Sequence, residues 1–470
     1  MDCAYSWYLV LVLLRPYQTA CLDLIRAHIK NGARSVLWQL PTGAGKTIGA
    51  AFMLKRAMER GWRAWFVVHR RELIKQAHCA FLAADVQHGI IASGFDGNGQ
   101  MPVQIVSVQT VIRRLSQVRP PDLLVLDEAH HCPAGSWRKI VGEYPQAVRV
   151  GLSATPQRLD GKGLSDYFEQ LVVGPTVREL IEAGYLSRYR FFAPSAPVLS
   201  GVHMRAGDYA QDELDEVMNR PQIVGDAIEH YRKLAMGRRA LVFAVSLEAS
   251  RRIVDGFVAA GIPAEHVDGE TDSALRDAAM QRLRAGETKV LSNVDLFGEG
   301  VDVPALEAVI LLRPTQSLAL YLQQVGRGLR MTPGKRDCVI LDHAGNCRTH
   351  GLPDEDREWS LEGFAGKSRA GDSEGVSPIR QCKACFAVSP ITATVCVECG
   401  TPFPVTSREV AEVDGTLEEI DQELIRKHAR REQGRANSLE ALIALGRQRG
   451  YKPGWAHFVW NSRRGRRREA

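Results

Sequence analysis

No stretch of this sequence is long and apolar enough to cross a bilayer. The longest unbroken apolar run, Trp7 to Leu14, has eight residues, whereas a span needs about 20. No basic segment precedes it, as a secretion signal would require, so it reads as a buried strand or an irregular extension of a soluble, intracellular protein with no membrane partner. Cysteine is too thin for a disulfide scaffold: ten in 470 residues, six of them scattered and best read as reduced core residues. Charge of one sign is also scarce over most of the chain. The net charge is +6, yet 424–470 holds 13 Lys and Arg against 3 Asp and Glu, which leaves the rest at −4. A near-neutral body with a basic end suggests an anionic partner, most simply nucleic acid, or else a solubilising tail. Internal repeats and nuclease signatures are absent. The 45% hydrophobic content excludes a largely disordered chain, and the length accommodates about three domains of about 150 residues.

Short β-rich runs recur, each followed by a polar loop and a helical pattern. The first series is 35–40, 64–69, 103–108, 123–127 and 149–155; the second is 240–246, 289–294, 308–313 and 338–342. Continuous apolar strands alternating with helices predict parallel sheets buried on both faces, whose ligands bind beyond the carboxyl ends of the strands. The polar, helix-prone stretch 204–219 is expected to connect the two series, and the Gly/Ser-rich stretch 366–377 to be a linker. Helices are predicted at 417–435 and 438–449.

After the strand ending at Leu40 comes Pro41-Thr42-Gly43-Ala44-Gly45-Lys46-Thr47, then a helical pattern. Glycines let backbone amides curl around phosphate oxygens at a helix N-terminus. Lys46 would reach the β- and γ-phosphates, and Thr47 would offer its hydroxyl to Mg²⁺. The general phosphate-loop pattern asks for glycine where Leu40 stands. About 80 residues later the apolar run Leu123-Leu124-Val125-Leu126 ends in Asp127-Glu128. Asp127 would hold Mg²⁺, directly or through water, and Glu128 would orient and deprotonate an attacking water.

These residues resemble the DEAD/DEAH-type helicases of superfamily two, from about Leu14 to His350. Asp127-Glu128-Ala129-His130 reads as the DEAH box. Leu14-Arg15-Pro16-Tyr17-Gln18 is similar to the segment whose glutamine, here Gln18, contacts adenine, and Ser153-Ala154-Thr155 to motif III, although that triplet alone also fits an ordinary turn. Gly298 to Pro304 resembles motif V, with Gly300 and Asp302 as nucleotide contacts. Gln323-Gln324-Val325-Gly326-Arg327-Gly328-Leu329-Arg330 fits motif VI, which casts Gln323, Arg327 and Arg330 as catalytic; the bland alternative is a solvated helix face. His69-Arg70-Arg71-Glu72 and Ser107-Val108-Gln109-Thr110 resemble motifs Ia and Ib, making Arg70, Arg71, Gln109 and Thr110 strand contacts, with surface charge as the other reading of the arginines. The resemblance implies ATP binding by Thr42, Gly43, Gly45, Lys46 and Thr47 between two lobes, with the arginines stabilising transition-state charge.

Cys382-Lys383-Ala384-Cys385 and Cys396-Val397-Glu398-Cys399-Gly400 have the spacing of a closed, structural Zn²⁺ site; two redox pairs or an iron–sulfur site are the alternatives. This layout, with Asp342-His343-Ala344-Gly345-Asn346 and Gly450-Tyr451-Lys452-Pro453-Gly454-Trp455-Ala456, resembles bacterial and phage RadD-type helicases of DNA repair. That resemblance implies DNA as partner, a single-strand-binding protein as a further one, and a bacterial cytoplasm, nucleoid or phage-infected cell as location. Near the C-terminus five arginines lie between Arg463 and Arg468, following Trp455, Phe458 and Trp460; they read either as a nucleic-acid contact or as packing aromatics with free arginines. The expected fold is α/β: two tandem RecA-like parallel-sheet lobes (1–185 and 186–365), a small zinc-binding module (378–404) and a helical basic tail (405–470).

Overall fold

The computed structural model describes residues 13–403 except 96–97, 159–160, 194–201, 206–207, 219–220, 297–305, 364–378 and 391, together with 436, 438–448, 456 and 459–460. Seven parallel strands form the first sheet: β1 (Ser35–Gln39), β2 (Ala64–Val68), β3 (Gly89–Ile91), β4 (Val103–Ser107), β5 (Leu123–Leu126), β6 (Val148–Ser153) and β7 (Gln170–Val173), in the order β3-β4-β2-β5-β6-β1-β7. Side-chain alternation sorts its residues into two cores. Val36, Trp38, Phe66 and Val68 pack with helices α1 (Pro16–Lys30), α2 (Lys46–Glu59) and α3 (Arg71–Ala83). Leu37, Trp65, Val67, Leu124 and Leu126 pack on the other face with Trp137 and Ile140 of the Gly135–Glu143 helix. Both faces being covered, the strands carry apolar residues at every step.

Strand order and register assemble the first site. β6 pairs with β1 on one side, Gln39 beside Ser153, and with β5 on the other, Leu126 beside Gly151. Three strand ends, followed by the glycine loop, by Asp127-Glu128 and by Ala154-Thr155, therefore lie side by side.

The second sheet has six parallel strands: β8 (Tyr189–Phe192), then, after a short hairpin of β9 (Met204–Arg205) and β10 (Asp208–Tyr209), β11 (Ala240–Phe243), β12 (Ala264–Val267), β13 (Val290–Asn293), β14 (Ala308–Leu311) and β15 (Cys338–Asp342), in the order β12-β13-β11-β14-β15-β8. The expectation that 204–219 links the lobes needs correction. The hairpin and the Gln211–Met218 helix belong to the second lobe: Leu214 and Met218 share a core with Phe192 and Val242, and Asp208 accepts from Thr315 Oγ1 at 2.7 Å and from Gln316 N at 2.7 Å. The crossing lies earlier, at 186–189, where Ser187 N donates to Leu329 O at 2.8 Å.

A second crossing runs the other way. The chain leaves the second lobe at Gly351 and lies against the first at Leu361, whose carbonyl accepts from Leu164 N (2.6 Å) and Ser165 N (3.0 Å). It then returns to the second lobe as an antiparallel hairpin, β16 (Ile379–Gln381) and β17 (Val388–Pro390).

Residues 405–470 form a separate unit. Its described part is the Leu439–Gln448 helix, with Leu442, Ala456 and Val459 buried together and Trp460 packed against them. Residues 1–12, the linker 366–377, the charged stretch 417–435, Trp455, Phe458 and Arg463 to Arg468 lie outside the described residues. Among those described, no helix is long and apolar enough to cross a membrane.

A two-lobed candidate nucleotide site

The glycine loop turns through two left-handed residues, Gly43 (φ +86°) and Gly45 (φ +83°), which a side chain would strain. A Cβ on Gly45 would also lie 2.6 Å from Gln18 Nε2. Gly45 caps α2, so the first amides of that helix lack side-chain partners and present a positive pole to the loop. Leu40, standing where the phosphate-loop pattern has glycine, is fully buried; its carbonyl accepts the Lys46 amine at 3.0 Å. The departure from the pattern thus serves the core and leaves the loop shape intact.

Lys46 is the electrostatic centre of the site. Burial pushes its amine down; the Glu128 and Asp127 carboxylates push it back up; Arg327 and Arg330 lower it again. These groups come from strand ends and a helix up to 284 residues apart in sequence. Asp127 follows β5 and is pushed up to about 7, first by burial and then by Glu128, against the pull of Lys46 and His69. Two adjacent buried carboxylates call for a cation.

The second lobe meets this loop through the Leu318–Gly328 helix, which carries Gln323, Gly326 and Arg327. A Cβ on Gly326 would lie 2.6 Å from Thr42 Cβ, and one on Gly43 would lie 3.3 Å from Arg330 Cγ. The Gln323 side chain is 2% exposed with neither amide atom hydrogen-bonded within the protein, a buried polar group on the helix that meets the loop. Sequence reasoning missed Lys335, a buried lysine whose amine donates to the carbonyls of Gly328 and Arg330. It caps the helix C-terminus and fixes the turn between the two arginines.

Other expected residues sit as follows. The Gln18 amide donates to the carbonyls of Ala44 (3.2 Å) and Gly45 (3.0 Å), bracing the loop from behind, while Tyr17 and Arg15 pack on Tyr185. Thr47 is the second residue of α2. Ser153 Oγ bonds within its own turn, to Thr155. Gly300 and Asp302 lie outside the described residues. Arg70 donates to the carbonyls of Asp295 (3.2 Å) and Leu296 (3.4 Å) across the cleft, and Arg71 lies over Phe95. Gln109 Nε2 donates to His69 O at 2.6 Å, and Thr110 Oγ1 accepts from Ser93 N, so both tie strand-end loops together.

Cys382, Cys385, Cys396 and Cys399 have their sulfurs within 4.8 Å of one another. Cys382–Cys399 and Cys385–Cys396 are each 3.6 Å apart, close to the ~3.8 Å edge of a tetrahedron with ~2.3 Å Zn–S bonds. The module is no free-standing bead. Ala387 bridges Phe192 of β8, Ala193 N donates to Phe386 O, and Arg190 pairs with Glu398 at 2.7 Å. Behind it, the Asp342 carboxylate receives the Ala344 and Cys347 amides, and Asn346 binds Thr315 N and Arg313 O.

Comparison with known proteins agrees with this architecture. Residues 11–158 match the family described as the res subunit of type III restriction enzymes, and residues 221–332 the helicase conserved C-terminal domain. A 51.5 kDa protein of a Lactococcus phage (isolate 7-9) is 35% identical over 389 residues, 83% of each chain. IRC3 of Saccharomyces cerevisiae, to which its name ascribes an ATP-dependent helicase, is 30% identical over 71% of this chain, which spans about half (52%) of that protein. The DNA 3'-5' translocase XPB2 of Sulfurisphaera tokodaii is 27% identical over 67% of this chain and 78% of its own. In structure the chain is similar to the type ISP restriction-modification enzyme LlaBIII bound to DNA (TM-score 0.53, 17% identity, 70% of this chain and 27% of that one). Two parallel-sheet lobes closing on a phosphate loop, with these relatives, define a nucleic-acid-dependent ATPase. The chain belongs to the superfamily two helicases.

Proposed function

We propose that the protein is an ATP-dependent DNA translocase or helicase of the RadD type, acting in DNA repair or recombination. The observation that carries the motor reading is the convergence on Lys46 of two carboxylates from one lobe and two arginines from the other. In this reading the α2 amides and Lys46 bind the phosphates of ATP, and Gln323 meets the nucleotide or its water. Glu128 takes the proton of the attacking water while Arg327 and Arg330 stabilise charge on the transferred phosphoryl. Asp127 and Thr47 would hold Mg²⁺, which neutralises phosphate charge when bound. Loss of the γ-phosphate removes what the arginines are drawn to, and the lobes relax. Arg71, Gln109 and Thr110 are offered as strand contacts, and so is Arg70 once the lobes part.

DNA is favoured as partner by the named translocase relative and by the net +10 of 424–470. A structural zinc in the four-cysteine site and a single-strand-binding protein as partner belong to the same reading, as does a bacterial or phage-infected cytoplasm, supported by the phage relative. Similarity to the res-subunit family supports a second reading, a restriction or defence motor subunit.

The test is ATP hydrolysis with no nucleic acid, single-stranded DNA, duplex DNA or RNA, alongside displacement on a tailed duplex. DNA-stimulated turnover is expected, and displacement separates helicase from translocase. Turnover unchanged by any nucleic acid would overturn the motor reading.

A further inference from the structure

Besides the contact at Gly43 and Gly326, the lobes touch through a set of opposed charges. Glu72 and Lys75 lie one turn apart on α3, in the first lobe; Arg276 and Asp277 are adjacent on the Ser273–Ala285 helix of the second. Arg276 Nη1 donates to Glu72 at 2.8 Å, and Lys75 Nζ to Asp277 at 2.9 Å. The sign alternates, so each helix offers one acid and one base to its partner, and sliding either helix would set like charges together. Burial ranks the two pairs. Arg276 and Glu72 are 19% and 29% exposed, Lys75 and Asp277 42% and 62%. The outer pair is therefore strongly screened, and the inner one dominates.

Both helices are firmly presented. Asp272 caps the second, accepting from Ala274 N at 2.8 Å, and Asp268 ties the preceding loop by accepting from Thr271 N and Oγ1 at 2.7 Å each. Asp268 is fixed in turn by His266, which bonds Ser250, itself bonded to Ser292 on β13. On the first lobe, Arg70 precedes α3 and donates to the Asp295 and Leu296 carbonyls.

We propose that Glu72, Lys75, Arg276 and Asp277 form an electrostatic latch that holds the two lobes together and so positions Arg327 and Arg330 against the phosphate loop. The latch rests on the two-lobe ATPase reading for its effect on turnover, though its effect on lobe closure does not. These residues bond each other across the lobes, apart from the groups assigned to the phosphate loop, and act as positioning residues. Their effect falls on the fraction of molecules already closed. A protein that is mostly open binds ATP more weakly by that fraction, while the closed form reacts as before.

The experiment uses the full chain, with turnover measured at one saturating concentration of whichever nucleic acid stimulates it and scattering recorded without nucleic acid. Arg276→Glu and Glu72→Arg should each raise the KM for ATP about fivefold to tenfold, with kcat within about twofold. Lys75→Glu should raise it less than threefold. The double reversal Glu72→Arg/Arg276→Glu should return KM to within about twofold of the parent. Small-angle scattering without nucleotide should give a larger radius of gyration for each single reversal and a normal one for the double. If Arg276→Glu fails to fold, Arg276→Gln replaces it, with half the effect expected. Single reversals that change neither KM nor radius of gyration overturn the latch, as does a double reversal no better than its parents. A parent protein without ATP turnover in the presence of any nucleic acid would sink the ATPase reading instead, leaving scattering to judge the latch.

Discussion

Glu128 has φ +49° and ψ +56°, a left-handed conformation that costs a non-glycine residue roughly 1–3 kcal/mol. It follows a fully buried strand and precedes a tight 3₁₀ turn, and that bend sets the Glu128 carboxylate beside Asp127 and Lys46. Two substitutions separate binding from hydrolysis. Lys46→Ala should abolish ATP turnover, because no other lysine is placed in the loop. Glu128→Gln should keep ATP binding while lowering turnover by at least about 100-fold, the usual contribution of a general base. Equilibrium nucleotide binding beside steady-state hydrolysis reads both, and normal hydrolysis by either variant would remove the site assignment. These residues were legible in the sequence because their chemistry is local: glycines that must turn, a lysine after them, carboxylates at a strand end. Lys335 was not, since a lysine seven residues beyond the end of a helix carries no sign that its amine will fold back onto that helix.

His343 gives the stability of the fold a pH dependence. Burial pushes its imidazole down to about 3, with the His230 ring 5.2 Å away adding to the effect. The unfolded chain takes up a proton below about pH 6.5, which the native one refuses. Stability contributed by neutral His343 is therefore fully present above that pH and is lost as pH falls toward 3. Between pH 7 and pH 5 the loss from this one group is about 2 kcal/mol. Thermal melts of the parent and His343→Asn at both pH values should show a smaller acid-induced drop in Tm for the variant. Equal drops would mean that the imidazole is protonated in the native state.

Among the elements, the strand runs of both series were readable as continuous apolar segments, and the structure places each in a parallel sheet. Four strands of these two parallel sheets escaped notice for separate reasons. β3 has three residues, β7 is half-exposed at the sheet edge, and β12, Ala264–Val267, carries Glu265 and His266. β8 was hidden by Tyr189 and Arg190, whose polar ends reach Asp354 and Glu398. Missing β8 is what displaced the expected lobe connection to 204–219. The four-cysteine module was legible from spacing, but its attachment was not, because that depends on the edge of β8 being open. The attachment has a consequence. Cys382 and Cys396 share a core with Phe192 and Val242 of the second sheet, so loss of the proposed zinc should be felt in the lobe itself. Replacing Cys396 and Cys399 with Ser should remove one equivalent of bound zinc and lower the Tm of the main transition. Metal analysis and calorimetry check this. Unchanged metal content would refute the zinc site, and lost zinc with an unmoved main transition would show that the module does not brace the lobe.

Over the whole molecule, what the sequence could not show is that the lobes are joined twice. Motifs in order imply two lobes and one connection, yet the segment 351–363 crosses back. Its turn is locked by Arg357, half-buried and donating to the carbonyls of His350, Leu352, Pro353 and Glu355. Arg178 of the first lobe holds it by Asp356 and the Asp354 carbonyl, and Lys162 pairs with Gly363 in an isolated bridge. Trp359 and Arg357 wall a cavity whose other side includes Pro41, Thr42 and Gly326, so this strap lies behind the nucleotide site. A two-point joint should limit how far the lobes can separate and so keep the arginines near the loop after product leaves. Gly163 offers a way to test this without touching the site. A Cβ there would meet Leu361 O at 2.1 Å, an overlap with backbone that only displacement of the strap relieves. Gly163→Ala should therefore expose 351–363 to limited proteolysis, at Arg357 above all, and raise the KM for ATP severalfold with kcat little changed. Magnesium-ATP should restore protection, since it draws the lobes together by another route. If the substitution speeds cleavage but leaves KM alone, the strap is only a surface fastening. If cleavage is also unchanged, the crossing is looser than its hydrogen bonds indicate, and lobe closure depends on the nucleotide site and the helix charges alone.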